Sequence, residues 1–350
     1  GPPLWAAASA AMKQRVITTL DDATPEPAQR SIARVQAAML TGSRAALPQE
    51  AMQGFRRTGV MHLFAVSGLH VGIITGLTVA LLRLSPIRAR TQFGLGLLAV
   101  LGYVWMIGFS ASALRATAML AVFGLGHCLH RKPDVLSSLG AAASLILLWD
   151  PAQLRQAGFQ LSFTVVAALV LVVPVIDRRV TALASAHPTG GPWRDGISSA
   201  LARWLAGLFT VGLVAMLASA PLMISHFGHF APVSVFLNAI IMPLAVPAIA
   251  LTALEALCGL LGFPGGAAFL GDAARGLLWV VMAVVDHAQS WPGADITMVW
   301  QAPGTGGWLA TALLWLMAAS GRDAPTWQCL GFPLALLGLA LATVGHVPAP

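Results

Sequence analysis

The chain has 350 residues, 57% of them hydrophobic and only 9% charged, with a mean hydropathy of +0.78. A soluble domain carries about 25% charged residues, so the composition excludes an ordinary soluble globular protein and defines a polytopic membrane protein. The formal net charge of +7 comes from 20 basic residues, all arginine except Lys13 and Lys132. Such an excess serves anionic headgroups or an anionic substrate such as nucleic acid.

The chain opens Gly-Pro-Pro without a Met or a signal-type apolar segment and reads as a piece of something larger. Residues 1–57 form a polar N-terminal segment, and residues 58–350 a transmembrane domain. Ile32, Val35, Met39 and Leu40 repeat at helical spacing, which predicts an amphipathic helix at 28–41, too polar to span and placed on the membrane surface or against the bundle. Gly42 ends it, and Pro48 opens a second short helix running into Arg56 and Arg57.

Residues 61–82 (MHLFAVSGLHVGIITGLTVALL) contain no charged side chain. About 22 residues at about 1.5 Å each give roughly 33 Å of helix, enough to cross a bilayer. Gly68, Gly72 and Gly76 strip one face at i, i+4 spacing, so another backbone is expected to pack closely there. Ser67, Thr75, His62 and His70 put polar atoms where lipid penalises them, so this span packs inside a bundle or lines something wet.

A basic loop at 83–90 leads to a second span at 92–109. Residues 112–149 read as a re-entrant pair or as short, tilted helices. A span follows at 157–176, then the longest polar loop at 177–200, and another span at 201–225. The apolar run 233–262 holds Pro243 and Pro247, which remove backbone donors and predict a kinked or broken helix. A more amphipathic helix at 268–288 and two greasy spans at 306–319 and 328–346 complete an all-α bundle of seven to ten transmembrane or re-entrant helices.

Several chemistries are excluded. Neither lysine follows a Gly, so there is no phosphate-cradling P-loop. Ser67 and His70 invite a nucleophile–base reading, but Ala65 stands where a G-x-S-x-G elbow needs Gly, and the two lie only three apart on one helix. His226 and His229 have chelating spacing without a nearby carboxylate, and the three scattered cysteines suit neither a zinc site nor a disulfide framework. No cofactor and no catalytic residue is expected.

Arg115, about three residues into an apolar helix, costs several kcal/mol unless it meets a carboxylate, carbonyls or water. It either pairs with Glu255 or Asp150, or lines a polar passage for phosphates, which guanidinium binds bidentately. Gln160 and Ser162, near the start of their span, either line the same passage or glue helices together.

Phe55 to Gly76, FRRTGVMHLFAVSGLHVGIITG, resembles the hallmark of the competence domain of ComEC-type DNA-internalisation channels of bacteria. Three further blocks agree in order: SALRATAML at 112–120, DPAQLRQAGFQLSF at 150–163, and the block at 221–247 that holds His226 and Asn238. The resemblance covers about residues 28–262. It implies an inner-membrane, multi-pass channel for single-stranded DNA in natural transformation, with residues 1–57 on the outer, periplasmic side. The candidates for its DNA path are Arg56, Arg57, His62, Ser67, Gly68, His70, Arg115, Gln160, Ser162, His226 and Asn238.

It also implies partners: single-stranded DNA, membrane lipids, OB-like and metallo-β-lactamase-like nuclease domains of the full-length protein, a DNA receptor and a cytoplasmic motor. The sequence shows no small-barrel pattern before residue 61 and no metal-binding His/Asp cluster after 262, so a passive conduit without enzymatic activity is expected of this chain. A secondary transporter of a small anionic solute is the alternative, built on broken helices and a buried Glu–Arg pair. A membrane scaffold docking partners through its polar N-terminal helix is a third reading, which leaves Arg115 without a role.

Overall fold

The structure is a computed structural model that describes residues 3–22, 29–44, 47, 49–128, 134–186, 192–291, 294, 296–300 and 344–346. Two compact units divide the chain. The first comprises Gly1–Ile146 with Ile240–Ser290, the second Leu147–Ala239 with Trp291–Pro350. Residues 1–57 thus belong to the same unit as the helices that follow them.

The first unit begins with α1 (Leu4–Asp22), α2 (Arg30–Thr41) and α3 (Gln49–Arg57). The sequence pattern did not single out α1, which buries Val16 and Leu20 at i, i+4. Helix α2 matches the predicted amphipathic helix but is no surface element: every residue from Val35 to Thr41 is buried. It packs against α1 and against α11 (Pro264–Ala288). Gly42, left-handed at φ 69°, stops α2 and donates its N–H to the Ala38 carbonyl at 2.8 Å.

The expected long span at 61–82 is broken. Met61–Phe64 is a 3-10 turn, Ala65 and Ser67 are extended, and α4 runs only from Gly68 to Leu82. Its 15 residues give about 22 Å, too short to cross unaided. The break falls where Ser67 offers a cap to the following N–H groups. Helices α5 (Ala89–Met106) and α6 (Ala111–Cys128) pack on α4 and on each other. Gly108 and Phe109 join them, both at positive φ (82° and 55°).

Helix α7 (Val135–Trp149) is short, as the reading of 112–149 requires. Helix α10 (Ser234–Leu260) runs without interruption through Pro243 and Pro247, so of the kinked or broken helix expected there, the broken form is absent. Two prolines delete two ladder bonds, and the other bonds of a helix this long carry it past them. Helix α11 (Pro264–Ala288) completes the set. Val16, Leu20, Leu40, Val71, Val104 and Ala256 are among the side chains of one buried core in this unit.

In the second unit, α8 (Ala157–Ala186) and α9 (Pro192–Phe227) pack together over Ala168, Val172 and Ile176 facing Val214 and Ala218. The predicted polar loop at 177–200 is helical up to Ala186 and again from Pro192. Three short strands, which the sequence pattern did not reveal, form one sheet: β1 (His229–Phe230), β2 (Ile296–Trp300) and β3 (Val344–His346). Both pairings are antiparallel, with Phe230 opposite Ile296 and Val299 opposite Gly345. Phe230 packs with Leu217, Ala220 and Ile224, partly covered by Ile296.

Among the described residues, four segments are long and apolar enough to cross a membrane: Ala157–Arg178, Ala200–Phe227, Ser234–Leu260 and Pro264–Ala288. Three shorter apolar helices accompany them, Gly68–Leu82, Ala111–Gly126 and Val135–Trp149. The chain is an all-α polytopic membrane protein with a small strand addition. The spans predicted at 306–319 and 328–346 lie outside the described residues, apart from β3.

Candidate functional site

Three buried polar residues of the first unit, His70, Tyr103 and Glu255, meet α2. A helix leaves its last carbonyls without intrahelical donors, and in α2 the Met39 and Leu40 carbonyls are met from outside. His70 Nε2 lies 3.0 Å from Met39 O, and the Tyr103 hydroxyl donates to Leu40 O at 2.7 Å. The other imidazole nitrogen accepts: the Ser67 N–H donates to His70 Nδ1 at 3.3 Å. This is the reach-back of a capping box with His in the place of Glu or Gln. The two bonds fix a neutral His70 with its proton on Nε2.

His70 is 1% exposed. It therefore faces the interior of its unit and holds α4 to α2, rather than standing on an open wall. Ser67, half-buried, caps α4. Gly68 approaches Ala116, whose Cβ would lie 3.6 Å from a Cβ built at Gly68. A Cβ built at Gly72 or at Gly76 meets no described atom within 4 Å. His62 is exposed, with Nδ1 3.3 Å from Gly59 O.

The second centre ties α2, α10 and α11. Glu255 is 0% exposed, and one of its oxygens accepts from Gln36 Nε2. The other accepts from Arg275 Nη1 at 3.3 Å, and Arg275 Nη2 donates to Asp272 Oδ1 at 2.8 Å. Arg275 is 4% exposed whereas Asp272 is 71% exposed, so the chain of contacts runs from the interior to the surface. The Glu255 ion pair expected from the sequence exists, with Arg275 as its partner and not Arg115. Nor does Asp150 wait for Arg115: its carboxylate accepts from Ala152 N–H and Gln153 Nε2, capping the turn Pro151–Arg155.

Arg115 is buried on α6, as is Thr117. Arg56 and Arg57 are exposed at the end of α3. In the second unit, His226 and Gln160 come together, with His226 Nε2 2.8 Å from Gln160 Oε1, while Gln160 Nε2 donates to Leu154 O at 2.9 Å. An amide oxygen only accepts, so His226 carries its proton on Nε2. Ser162 and Asn238 are half-buried, and Asn238 Oδ1 is shielded from solvent with no hydrogen-bond partner among the described residues.

Sequence reasoning missed Gln36, Tyr103 and Arg275 as site residues. Gln36 interrupts the apolar stripe Ala33, Ala37, Leu40 of α2, which marks a buried polar group seeking a partner. Tyr103 is the chain's single tyrosine, deep in an apolar helix. Arg275 on a membrane-capable helix carried the same signal as Arg115.

A multi-pass helical membrane protein with a braced polar interior and basic residues at its surface is the class that fold and site define. The Competence protein family model matches residues 39–323, and the chain belongs to that family. It is 31% identical over 207 residues to ComE operon protein 3 of Bacillus subtilis, covering 59% of this chain and 24% of that protein. It is 25% identical over 197 residues to Recombination protein 2 of Haemophilus influenzae (54% and 24% covered). With Competence protein ComA of Neisseria gonorrhoeae it shares 33% over 141 residues (38% and 20% covered). The alignments span about a quarter of the length of these curated relatives. No solved structure matches.

Proposed function

We propose that this chain is the membrane conduit through which single-stranded DNA enters a bacterial cell in natural transformation. The observation that carries the reading is the family match, which takes in every helix from α3 to α11. DNA presents a dense line of phosphates, and a passage for it needs fixed positive charge at the mouth and along the way. Arg56 and Arg57, exposed on α3, suit the mouth, and the buried Arg115 suits a narrower point. Within the second unit, Gln160, His226, Ser162 and Asn238 offer neutral polar atoms of the kind such a passage uses.

On this reading the chain sits in the inner membrane with residues 1–57 on the periplasmic side. It breaks no bonds itself. A receptor delivers the strand, OB-like and nuclease domains of a longer polypeptide process it, and a cytoplasmic motor pulls it.

Binding of single-stranded DNA to the purified chain in nanodiscs, titrated with salt, tests the reading. Each phosphate contact removed flattens the log–log salt slope by roughly 0.7 on single strands. Arg115→Ala and the pair Arg56→Ala/Arg57→Ala are expected to lose both affinity and slope. If the wild type ignores DNA at low salt yet binds a small phosphorylated solute, the transporter reading replaces this one.

A further inference from the structure

We propose that the turn between α4 and α5 is a docking surface for anionic lipid, in which Leu84 enters the acyl region while Arg83 and Arg88 hold headgroup phosphates. Leu84 is 85% exposed at the tip of this turn. Arg83, Pro86 and Arg88 around it are exposed as well. An aliphatic side chain held out among arginines is costly in water and favourable at the bilayer boundary, where apolar and cationic groups are both accommodated.

The turn is built, not slack. Gln92 Nε2 on α5 donates back to Leu82 O at 3.4 Å and to Ile87 O at 3.1 Å. Ser85 N–H reaches Leu82 O at 3.1 Å, and Ile87 N–H reaches Ser85 O at 2.7 Å. These bonds occupy the last carbonyl of α4, that of Leu82, and fix the turn while Arg83, Leu84, Ser85, Pro86 and Arg88 stand exposed.

Charge complementarity selects the occupant. Between Glu50 and Asp134 the sequence contains no acidic residue, and neither Arg83 nor Arg88 forms an ion pair among the described residues. Each arginine held near an anionic leaflet adds about fivefold to the preference for anionic over neutral lipid. A single aliphatic side chain ringed by arginines matches acyl chains lying directly beneath headgroup phosphates, where one ligand supplies both groups. This inference rests on the membrane nature of the chain alone, whatever passes through it.

The test places an environment-sensitive fluorophore at Ser85→Cys, with Cys128, Cys258 and Cys329 replaced by Ala, in nanodiscs of phosphatidylcholine with or without phosphatidylglycerol. The expected result is a blue shift on adding phosphatidylglycerol, lost in Arg83→Gln/Arg88→Gln and retained in Arg83→Lys/Arg88→Lys. Binding of single-stranded DNA, measured on the same discs, is expected to be unchanged by these substitutions. Emission that ignores lipid composition overturns the inference. So does emission that shifts when single-stranded DNA is added to phosphatidylcholine discs, which would move this turn onto a DNA track. Loss of DNA binding by the wild-type chain would count against the proposed function and leave this result standing.

Discussion

His70 Nε2 stands 3.0 Å from the carbonyl oxygen of Met39, so a residue of the first turn of the fourth helix completes the end of the second. With Tyr103 on Leu40 O, two side chains from two other helices satisfy two of the carbonyls that α2 cannot satisfy itself.

Removing His70 leaves a buried carbonyl and the Ser67 N–H without partners. His70→Ala is expected to destabilise the chain by about 2 kcal/mol, near the middle of the range for a stranded buried polar group. Tyr103→Phe, which keeps the ring, is expected to cost about 1 kcal/mol. Thermal unfolding in detergent checks both. If His70 instead serves only a passage, its variant unfolds like the wild type and loses transport alone.

The Glu255–Arg275 contact makes an asymmetric prediction. Arg275→Ala strands a carboxylate that is wholly buried, and about 3–5 kcal/mol of destabilisation is expected. Combining Arg275→Met with Glu255→Gln removes both charges and is expected to recover most of that loss. Arg115→Ala leaves the Glu255 partnership intact, so Glu255→Gln is expected to have the same effect with or without it. A double-mutant cycle showing coupling between Arg115 and Glu255 above about 0.5 kcal/mol would contradict this.

Two glycines of α11 are expected to respond in opposite directions. A Cβ on Gly271 would overlap the Glu255 carboxylate and come within 2.8 Å of Arg275 Nη1. Gly271→Ala is therefore expected to cost about 1–3 kcal/mol through forced displacement of the ion pair. At exposed Gly276 a Cβ meets no described atom within 4 Å, and Gly276→Ala is expected to stabilise by about 0.5–1 kcal/mol from helix propensity. The melting temperatures of the two variants should bracket the wild type.

These interior contacts also mark how far the sequence could be read. The helical class, α2, α7, α11 and the existence of a buried Glu255 pair were legible, because apolar periodicity and a carboxylate in an apolar run are local signals. The partner of Glu255 was not, because pairing across 20 residues depends on which helix faces turn together. The break at Ala65–Ser67 was hidden by hydropathy, which counts apolar residues and ignores a cap. The loop predicted at 177–200 failed for the opposite reason: polarity was taken to end the helix, whereas the arginines and alanines of DRRVTALASA are good helix formers and carry α8 on to Ala186. The candidate path residues had no such local test, and the structure uses His70 as a brace.

Asp134 gives a dependence on pH. Its carboxylate accepts from the Ser137 hydroxyl and N–H, each at 2.7 Å, ahead of α7. The hydroxyl bond first, then the backbone bond, hold its pKa below the usual aspartate value. A carboxyl whose folded pKa is lowered adds stability above its unfolded pKa, and that stability is lost as pH falls through the folded value. Protection of the first-turn amides of α7 against hydrogen exchange is therefore expected to drop in acid below about pH 4. In Asp134→Ala the Ser137 amide is expected to lose that protection at every pH, while Ser138 keeps its bond to the backbone carbonyl of residue 134; equal protection of Ser137 in that variant would contradict the capping role.

Entry of single-stranded DNA into proteoliposomes bears most directly on the conduit. Labelled oligonucleotide is added outside, external DNA is digested with nuclease, and the protected label is counted against protein-free vesicles. The account predicts protected label with the wild-type chain, a reduced amount with Arg115→Ala, and the same amount as wild type with Arg83→Gln/Arg88→Gln. Protected label no greater than in empty vesicles, from a chain that binds DNA and is correctly folded, would contradict it.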